Sequence, residues 1–277
     1  MWFVENYGDR ASLGLKIKSK LYEEQSPFQK IEVYETEFFG NLLTLDKLVM
    51  LTEKDEFVYH EMITHMPLCT LKNPEKVLVV GGGDGGTVRE ILKHESVKEV
   101  VLCEIDERVV RVCQKYFPST SYELENKKVI LTFEDGFKFL TRFRNHFDLI
   151  VTDSSDPVGP GTALFKEDYY RTVKEALKPD GIMVSQSESP WYYEDIMQSM
   201  TQAMTKVFNH VETYIAMVTL YPGGFWTITA ASDTLSLHNF NKEKSEKISK
   251  TCKYYNPEIH KGALALPNFV KKIVRNS

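Results

Sequence analysis

A glycine-rich segment with one acid in its middle is the first feature of this 277-residue chain that could do chemistry. The segment from Gly81 to Gly86 reads Gly-Gly-Gly-Asp-Gly-Gly and follows an apolar run that ends at Val80. Glycines allow a tight turn and a close approach of a ligand to the backbone, and a helix that follows presents free N–H groups. Because Asp84 would repel a pyrophosphate, the segment favours a ligand with a cationic group. The alternative interpretation is a plain strand-to-helix connection.

Two further acids follow apolar runs downstream. Glu104 ends a run that begins at Val100, about twenty residues beyond the glycines, where an acid accepts hydrogen bonds from the two hydroxyls of a ribose. Asp135 follows the run Val129–Phe133. Its carboxylate could accept a hydrogen bond from an adenine amino group, or cap the N-terminus of a helix, or do both. The pattern is typical of a nucleoside site.

A loop rich in proline and glycine carries a pair of acids, Asp153 and Asp156, after the apolar run that begins at Phe147. Turn or capping chemistry is the ordinary interpretation of such acids. In a parallel sheet, however, Asp153 and Asp84 should converge at neighbouring strand ends. With no histidine at metal-ligand spacing nearby, we interpret the cluster as a site for cationic organic ligands and predict no metal. Magnesium is the competing interpretation.

These acids need a scaffold that places strand ends side by side. From Val77 onward, short apolar runs alternate with amphipathic helical segments, and the last run is Gly181–Gln186. Such alternation predicts an α/β fold with a parallel sheet that is covered on both faces. Ligands then bind at the carboxyl ends of the strands.

The beginning of the chain has a different pattern. Apolar and polar residues alternate between Leu13 and Thr52, which predicts a small antiparallel sheet with a hairpin from Asn41 to Leu51. A short helix is expected over residues 59–65. We therefore predict an N-terminal antiparallel β-domain over residues 1–58 and a larger catalytic domain over residues 59–277.

Composition and charge exclude several classes of protein. Hydrophobic residues make up 42% and charged residues 26%, values that exclude disordered and low-complexity chains. With 34 basic and 39 acidic residues, the chain has no domain-sized basic patch, so we expect no nucleic-acid partner. No signal sequence and no bilayer-spanning apolar stretch are apparent, so we expect no membrane partner. Four scattered cysteines indicate reduced thiols and a cytoplasmic location.

Taken together, the motifs resemble those of the spermidine synthases, a family of polyamine aminopropyltransferases. The resemblance extends from about Glu24 to Phe269. The segments that carry it are Gly81-Gly-Gly-Asp-Gly-Gly, Cys103-Glu-Ile-Asp, Glu134-Asp-Gly-Phe, Thr152-Asp-Ser-Ser-Asp-Pro, Asp55-Glu-Phe-Val-Tyr-His-Glu-Met and Tyr254-Tyr-Asn-Pro-Glu-Ile-His. The resemblance implies a Rossmann-like domain of the methyltransferase type behind a small β-domain, and assembly as a homodimer or homotetramer.

The activity that the resemblance implies is transfer of an aminopropyl group from decarboxylated S-adenosylmethionine to putrescine, giving spermidine and methylthioadenosine. The decarboxylated compound would be a co-substrate, so no resident cofactor is expected. Asp153 would be the catalytic base, helped by Tyr59 and Tyr221. The residues that would bind the donor are Gln29, Asp84, Glu104, Asp135, Gly136 and Asp153. The residues that would bind the acceptor are His60, Asp84, Asp153, Asp156, Gln186 and Tyr221. The segment from Ser154 to Leu164 would be a gatekeeping loop.

Such a reaction needs acids for a physical reason that is independent of the resemblance. The donor carries a sulfonium and an ammonium, and a diamine is almost wholly protonated at neutral pH, since alkyl ammonium groups titrate near ~10.4. Two positive charges ~4 Å apart repel each other by about 4 kcal/mol at an effective dielectric constant of 20, and a nearby carboxylate offsets a comparable amount.

One segment departs from the family pattern. The family often shows Pro-Thr before its tyrosine and Pro-Ser-Gly after it, whereas this chain has Leu220 before Tyr221 and Gly223 after Pro222. The aromatic residue is kept but its surroundings change. The departure therefore bears on the choice of acceptor and leaves the chemistry intact.

Two other functions stay open from the sequence. An S-adenosylmethionine-dependent N-methyltransferase of a diamine would share the fold and the nucleoside contacts, but Asp84 would repel the carboxylate of the intact cofactor. A non-enzymatic nucleoside-binding module would have no use for the pair Asp153 and Asp156. Cadaverine, agmatine and spermidine are the alternatives to putrescine as acceptor.

Overall fold

A computed structural model of the chain describes residues 1–155 and 159–275, with residues 159 and 160 described by their backbone alone. Asp156, one of the predicted acceptor-binding residues, lies outside the described residues.

The N-terminal part folds into a five-stranded antiparallel sheet in which each strand pairs with its neighbours in sequence. The strands are β1 (Trp2–Tyr7), β2 (Ala11–Gln25), β3 (Lys30–Thr36), β4 (Asn41–Leu45) and β5 (Leu48–Thr52). The predicted hairpin is confirmed as β4 and β5, and both residues of its turn, Asp46 and Lys47, have positive φ. The small antiparallel sheet is therefore confirmed.

Strand β1 was not predicted from the sequence. Its buried face carries Phe3, Glu5 and Tyr7, whereas Trp2 and Val4 are exposed. A buried acid and an exposed tryptophan invert the usual alternation of apolar and polar residues, which hides the strand from a pattern search.

Helix α1 (Glu56–Thr70) follows the first sheet and is buried along nearly its whole length. It is longer at both ends than the helix expected over residues 59–65, and Pro67 lies inside it. Several polar residues interrupt its apolar pattern, which is why the sequence shows a shorter helix. The division of the chain at residue 58 stays a prediction: β5 ends at Thr52 and α1 begins at Glu56.

The larger sheet has seven strands in the order β11-β12-β10-β9-β6-β7-β8. The strands are β6 (Lys76–Gly81), β7 (Glu99–Glu104), β8 (Val129–Phe133), β9 (Phe147–Asp153), β10 (Leu177–Gln186), β11 (His210–Ala216) and β12 (Trp226–Ser232). The five strands from β6 to β10 are parallel, as predicted, and β11 and β12 pair antiparallel at one edge.

The sequence analysis did not predict the two antiparallel strands, β11 and β12. Strand β12 is buried at every position although it carries Thr227, Thr229 and Ser232. These hydroxyls find partners inside the protein; the hydroxyl of Thr227, for example, donates to the carbonyl of Ser187 at 2.9 Å. A strand whose polar residues are satisfied internally looks from its sequence like a loop.

Helices cover both faces of this sheet, which confirms the predicted α/β fold of Rossmann-like type. Val77 and Val79 of β6 pack in one core with α1, and Leu78 and Val80 pack in a second core on the opposite face. The remaining helices are α2 (Gly86–Leu92), α3 (Glu107–Tyr116), α4 (Pro118–Ser121), α5 (Gly136–Leu140), α6 (Glu167–Ala176), α7 (Glu194–Thr205), α8 (Lys242–Ser249), α9 (Pro257–Ala263) and α10 (Asn268–Arg275). Short 3₁₀ segments span Tyr122–Glu125, Gly159–Phe165, Pro222–Gly224 and Leu237–Asn239.

Throughout the described residues, every helix is too short or too polar to cross a membrane.

Candidate active site

A cavity of about 260 Å³ lies at the carboxyl ends of the parallel strands, and residues of the N-terminal sheet form part of its wall. Every predicted site residue that the structure describes lines this cavity: Gln29, Tyr59, His60, Asp84, Glu104, Asp135, Gly136, Asp153, Gln186 and Tyr221. The expected gatekeeping segment contributes Ser154, Ser155, Gly161, Ala163 and Leu164. The roles of these residues stay predictions, but the fold brings them together.

Asp153 is the last residue of β9, and both of its carboxylate oxygens accept hydrogen bonds. The hydroxyl of Tyr59 donates to Oδ1 at 2.8 Å, and the hydroxyl of Thr87 donates to Oδ2 at 2.5 Å. Burial and the nearby charge of Asp84 raise the pKa of Asp153, against the opposing effects of His60 and the two hydroxyls. A carboxylate with a raised pKa is a better proton acceptor than an ordinary one.

The glycine segment makes room for these side chains. Gly81 has a φ of +82°, and a Cβ there would lie 2.2 Å from the carbonyl oxygen of Asp153. A Cβ on Gly86 would lie 2.3 Å from the ring of His60. The close approach of a ligand to the glycines stays a prediction; in the structure they let the end of β9 and the imidazole of His60 approach the backbone.

His60 lies between two acids. Its Nδ1 is 2.6 Å from Oε2 of Glu56, and its Nε2 is 3.1 Å from Oδ1 of Asp84. Burial disfavours the charged ring, but Asp84 and Glu56 outweigh it and raise the pKa of His60 well above its usual value. Each ring nitrogen thus faces a carboxylate, an arrangement that favours the protonated ring.

Among the residues that the structure describes, two groups of side chains have a spacing at which a metal ion could be held. In the cavity these are His60, Asp84 and Asp153, with one atom from each within 4.8 Å of the others. A metal there would compete with the contact between Nε2 of His60 and Oδ1 of Asp84, whereas an organic cation can be bound by the carboxylates of Asp84 and Asp153 directly. The second group includes His65 and Glu90, and there the ammonium of Lys93 already lies 2.5 Å from Oε2 of Glu90.

Glu104 ends β7 and is nearly buried beside the glycine segment. The backbone N–H of Asp106 donates to its Oε1 at 3.0 Å. Burial nevertheless raises the pKa of Glu104 to about 7. Gln29 reaches the same region from the N-terminal sheet, and its Nε2 donates to Oδ2 of Asp106 at 3.1 Å.

Asp135 fits both interpretations that the sequence left open. Its Oδ1 accepts a hydrogen bond from the backbone N–H of Lys138 at 3.1 Å, so it caps α5. It also lines the cavity, with Gly136 beside it. Gly136 packs against Val80, where a larger side chain would clash.

The two predicted tyrosines have different partners. The hydroxyl of Tyr221 donates to the backbone carbonyl of Met50 at 2.7 Å, whereas that of Tyr59 donates to Asp153. The ring of Tyr221 lies 5.7 Å from that of Tyr59 and 4.8 Å from that of Trp226, measured between centroids. Direct help to the base therefore stays a prediction for Tyr221, whose hydroxyl is directed toward the N-terminal sheet.

The departure from the family pattern lies beside the cavity wall. Leu220 is buried with Phe3, Tyr34 and other apolar residues of the N-terminal sheet. Its backbone N–H donates to Oδ2 of Asp55 at 3.2 Å. Leu220 thus helps to join the two parts of the chain, and its bearing on the acceptor is indirect.

Gln186 is held by a neighbour at the end of β10. Its Oε1 accepts a hydrogen bond from the backbone N–H of Glu188 at 3.0 Å, and its Nε2 donates to Oε1 of Glu188 at 3.3 Å. Glu188 is fully buried and has a φ of +71°, which is unusual for a residue other than glycine. This contact fixes the direction of the Gln186 amide.

Sequence reasoning missed several residues of the site. Glu5 of β1 is buried and lines the cavity, and its Oε2 accepts a hydrogen bond from the backbone N–H of Val49 at 3.3 Å. The one signal for Glu5 is an acid at an inward position of an alternating strand. Thr87 contacts Asp153 and stands just after the glycine segment, where the first turn of a helix was expected.

Comparisons with known proteins agree over the whole chain. The family model for the spermine/spermidine synthase domain matches residues 56–244, and the model for the spermidine synthase tetramerisation domain matches residues 1–53. The chain is 46% identical to a polyamine aminopropyltransferase of Thermoanaerobacter sp. (strain X514), covering 99% of this chain and 98% of that protein. It is also 46% identical to one of Leptospira biflexa, with the same coverage.

Solved structures give the same result. A spermidine synthase in complex with the transition-state analogue AdoDATO has a TM-score of 0.98 and is 40% identical, covering 100% of this chain and 96% of that chain. The spermidine synthase from Thermotoga maritima has a TM-score of 0.94 and is 39% identical, covering 99% and 94%. The fold, the motifs and the matches over full length agree: this chain belongs to the spermine/spermidine synthase family.

Proposed function

We propose that this protein is an aminopropyltransferase that moves the aminopropyl group of decarboxylated S-adenosylmethionine to putrescine, releasing spermidine and methylthioadenosine. The observation that carries the proposal is the position of Asp153. Its half-buried carboxylate accepts from Tyr59 and Thr87 and lies beside Asp84 in a cavity large enough for small molecules. A proton acceptor is thus placed among groups that attract cations.

The nucleoside part of the donor fits the end of the cavity nearest β7 and β8. There the carboxylate of Glu104 accepts from the two ribose hydroxyls, and Asp135 accepts from the adenine amino group. Gln29 adds a polar contact from the N-terminal sheet. The sulfonium and the aminopropyl ammonium then extend toward Asp84 and Asp153, whose negative charge offsets theirs.

The acceptor lies in the remaining part of the cavity. One ammonium meets Asp153, and the opposite ammonium needs a partner farther along. Glu5 and Gln186 line the wall and suit it, since one supplies a carboxylate and the other an amide oxygen. The rings of Tyr221 and Trp226 line the same wall and suit the methylene chain between the two ends.

The chemical step is a displacement at the carbon next to sulfur. The attacking ammonium gives a proton to Asp153, and the freed nitrogen forms a bond with that carbon. The carbon–sulfur bond breaks, and its electron pair stays on sulfur as a neutral thioether. Alignment of nitrogen, carbon and sulfur supplies much of the acceleration. The hydroxyl of Tyr59 holds Asp153 in the direction of the nitrogen.

The proposal is tested by mass spectrometry of the products. The purified protein is given decarboxylated or intact S-adenosylmethionine together with putrescine, cadaverine, agmatine or spermidine. We expect spermidine and methylthioadenosine from the decarboxylated donor and putrescine. A methylated diamine from intact S-adenosylmethionine, with no methylthioadenosine from the decarboxylated donor, would establish the methyltransferase instead.

We also propose that the chain is a homodimer or homotetramer and that it is cytoplasmic. The match of residues 1–53 to a tetramerisation domain supports the assembly. The four free cysteines support a reducing compartment. Light scattering of the purified protein measures the assembly directly.

A further inference from the structure

A row of alternating charges runs from the cavity into the buried contact between α1 and α2. It begins with Asp84 and His60 and continues through Glu56 and Arg89. Arg89 donates to both oxygens of Glu56, at 3.0 and 2.8 Å, and its Nε donates to Oε1 of Glu90 at 2.8 Å. These side chains are at least nine-tenths buried, except Asp84, which faces the cavity.

The neighbouring positive groups of this row keep Glu56 in its ionised form. Burial disfavours its carboxylate, but His60 and Arg89 outweigh burial and lower the pKa of Glu56 to about 2. With Arg89 on both of its oxygens, Glu56 favours a proton on Nδ1 of His60, 2.6 Å from its Oε2. A histidine whose Nδ1 is held in this way can lose a proton only from Nε2.

The Nε2 proton of His60 is directed at Asp84, where the donor's ammonium is expected. An ammonium also donates, so it competes with this proton for the same carboxylate. Two positive charges side by side repel each other, and loss of the Nε2 proton removes the repulsion. The neutral ring then offers a lone pair on Nε2, which can accept from the ammonium.

We propose that Glu56, held in place by Arg89, is a positioning residue for His60. When the substrate's cationic group binds at Asp84, His60 releases its Nε2 proton, and the cationic group takes the place of that proton. In the free protein His60 donates to Asp84, and in the complex it accepts from the bound ammonium. The inference rests on the proposed function, because it requires a cationic donor.

The charged groups that face His60 are few among the described residues. Glu56 faces it from its own helix, Asp84 from the glycine segment, and Asp153 from the end of β9. The ring of Tyr59 lies 5.5 Å away, between centroids, and contributes a neutral hydroxyl. Of these three acids, Asp153 is the one that could release a proton in place of His60, because its own pKa is raised.

Calorimetry in buffers of different ionisation enthalpy counts the protons released on binding. We compare decarboxylated S-adenosylmethionine with methylthioadenosine, which lacks the sulfonium and the ammonium, at about pH 7.5. We expect binding of the donor to release close to one proton more than binding of methylthioadenosine does. His60→Gln should remove this excess, and Asp153→Asn should keep it. In Glu56→Gln, checked for folding by circular dichroism, the ring holds its proton less firmly, so the excess should fall below about half.

Equal proton release by the two ligands would overturn the exchange and leave the proposed function standing. Loss of the excess in Asp153→Asn, with the excess kept in His60→Gln, would assign the proton to Asp153 and overturn the exchange as well. If Glu56→Gln does not fold, the comparison of His60→Gln with the unmodified protein still tests whether His60 releases the proton. If methylthioadenosine binds but the decarboxylated donor does not, both the proton exchange and the proposed function are overturned.

Discussion

The hydroxyl of Tyr59 donates a 2.8 Å hydrogen bond to Oδ1 of Asp153, although the two residues are 94 positions apart in the chain. Tyr59 lies on the helix that follows the N-terminal sheet, and Asp153 ends a central strand of the large sheet. Burial and the charge of Asp153 raise the pKa of Tyr59 well above its usual value, so its hydroxyl keeps its proton and remains a donor. The contact holds the proposed base in one direction.

Removal of this hydroxyl should lower turnover. A hydrogen bond to a charged group contributes about 1.5–3 kcal/mol. We therefore expect kcat of Tyr59→Phe to fall by roughly 10- to 150-fold, since every 1.36 kcal/mol is a factor of ten. Steady-state kinetics with decarboxylated S-adenosylmethionine and putrescine measure the change.

Tyr221→Phe is the matched control, because its hydroxyl donates to the carbonyl of Met50 rather than to the base. The variant should raise the KM of the acceptor more than it lowers kcat. If Tyr221→Phe lowered kcat as strongly as Tyr59→Phe does, the two tyrosines would share one role and the distinction drawn here would fail.

Asp153→Asn should nearly abolish the reaction while the protein remains folded. The amide keeps the shape of the side chain but cannot take a proton, and general-base catalysis is worth about 10²–10⁴ in rate. The affinity for methylthioadenosine, measured by calorimetry, should change much less than turnover. Turnover within about twofold of the unmodified protein would remove Asp153 as the base.

The affinity for the nucleoside should depend on pH through Glu104. Burial raises the pKa of Glu104 to about 7. The ionised form accepts from both ribose hydroxyls, so binding is strongest above this pKa and weakens as the pH falls through it. We expect the Kd of methylthioadenosine, which is uncharged at the reacting end, to rise roughly tenfold between pH 8 and pH 6.

Glu104→Gln tests the source of that dependence. The variant should bind methylthioadenosine more weakly at pH 8 and with a nearly flat pH profile. A profile as steep as that of the unmodified protein would show that another group titrates.

Gly86→Ala should disturb the site through His60. The added Cβ would lie 2.3 Å from the imidazole ring, so the ring must move away from Asp84. We expect kcat/KM for the donor to fall at least about tenfold, because a small displacement of a positioned group can have an effect of this size. Kinetics and a urea midpoint measured on the same sample separate loss of activity from loss of folding.

Gly262→Ala is a suitable control within helix α9. Nothing lies within 4 Å of a Cβ at this position, so the substitution should stabilise the fold by about 0.5–1 kcal/mol and leave activity unchanged. A normal rate in Gly86→Ala would mean that the position of His60 does not matter for the reaction.

The sequence was most informative where apolar runs were continuous. The five parallel strands are buried on both faces, so their composition alone marks them, and the acids that follow them must meet at one edge. Asp84, Glu104 and Asp153 could therefore be placed in one site without a structure. The motifs of the family added Gln29, Gln186 and the tyrosines.

Residues outside such runs could not be placed from the sequence. Glu5 lies on a strand whose exposed face is apolar, and the threonines of β12 find their partners inside the protein. The contacts of Glu56 with His60 and Arg89 depend on how two helices pack, which local pattern does not encode. The sequence therefore assigned His60 to the acceptor site through the family resemblance alone, without these contacts.

The most direct test of the account compares donor preference in Asp84→Asn. The central claim is that carboxylates at the strand ends hold positively charged substrates, so Asp84 should attract the decarboxylated donor and repel the carboxylate of intact S-adenosylmethionine. Asp135→Asn, at the adenine end, is the control and should weaken both compounds equally. We predict that Asp84→Asn weakens the decarboxylated donor by about 10- to 100-fold, as measured by calorimetry, while intact S-adenosylmethionine binds as well as before or more tightly. An equal loss for both compounds, or no change for either, would contradict the claim.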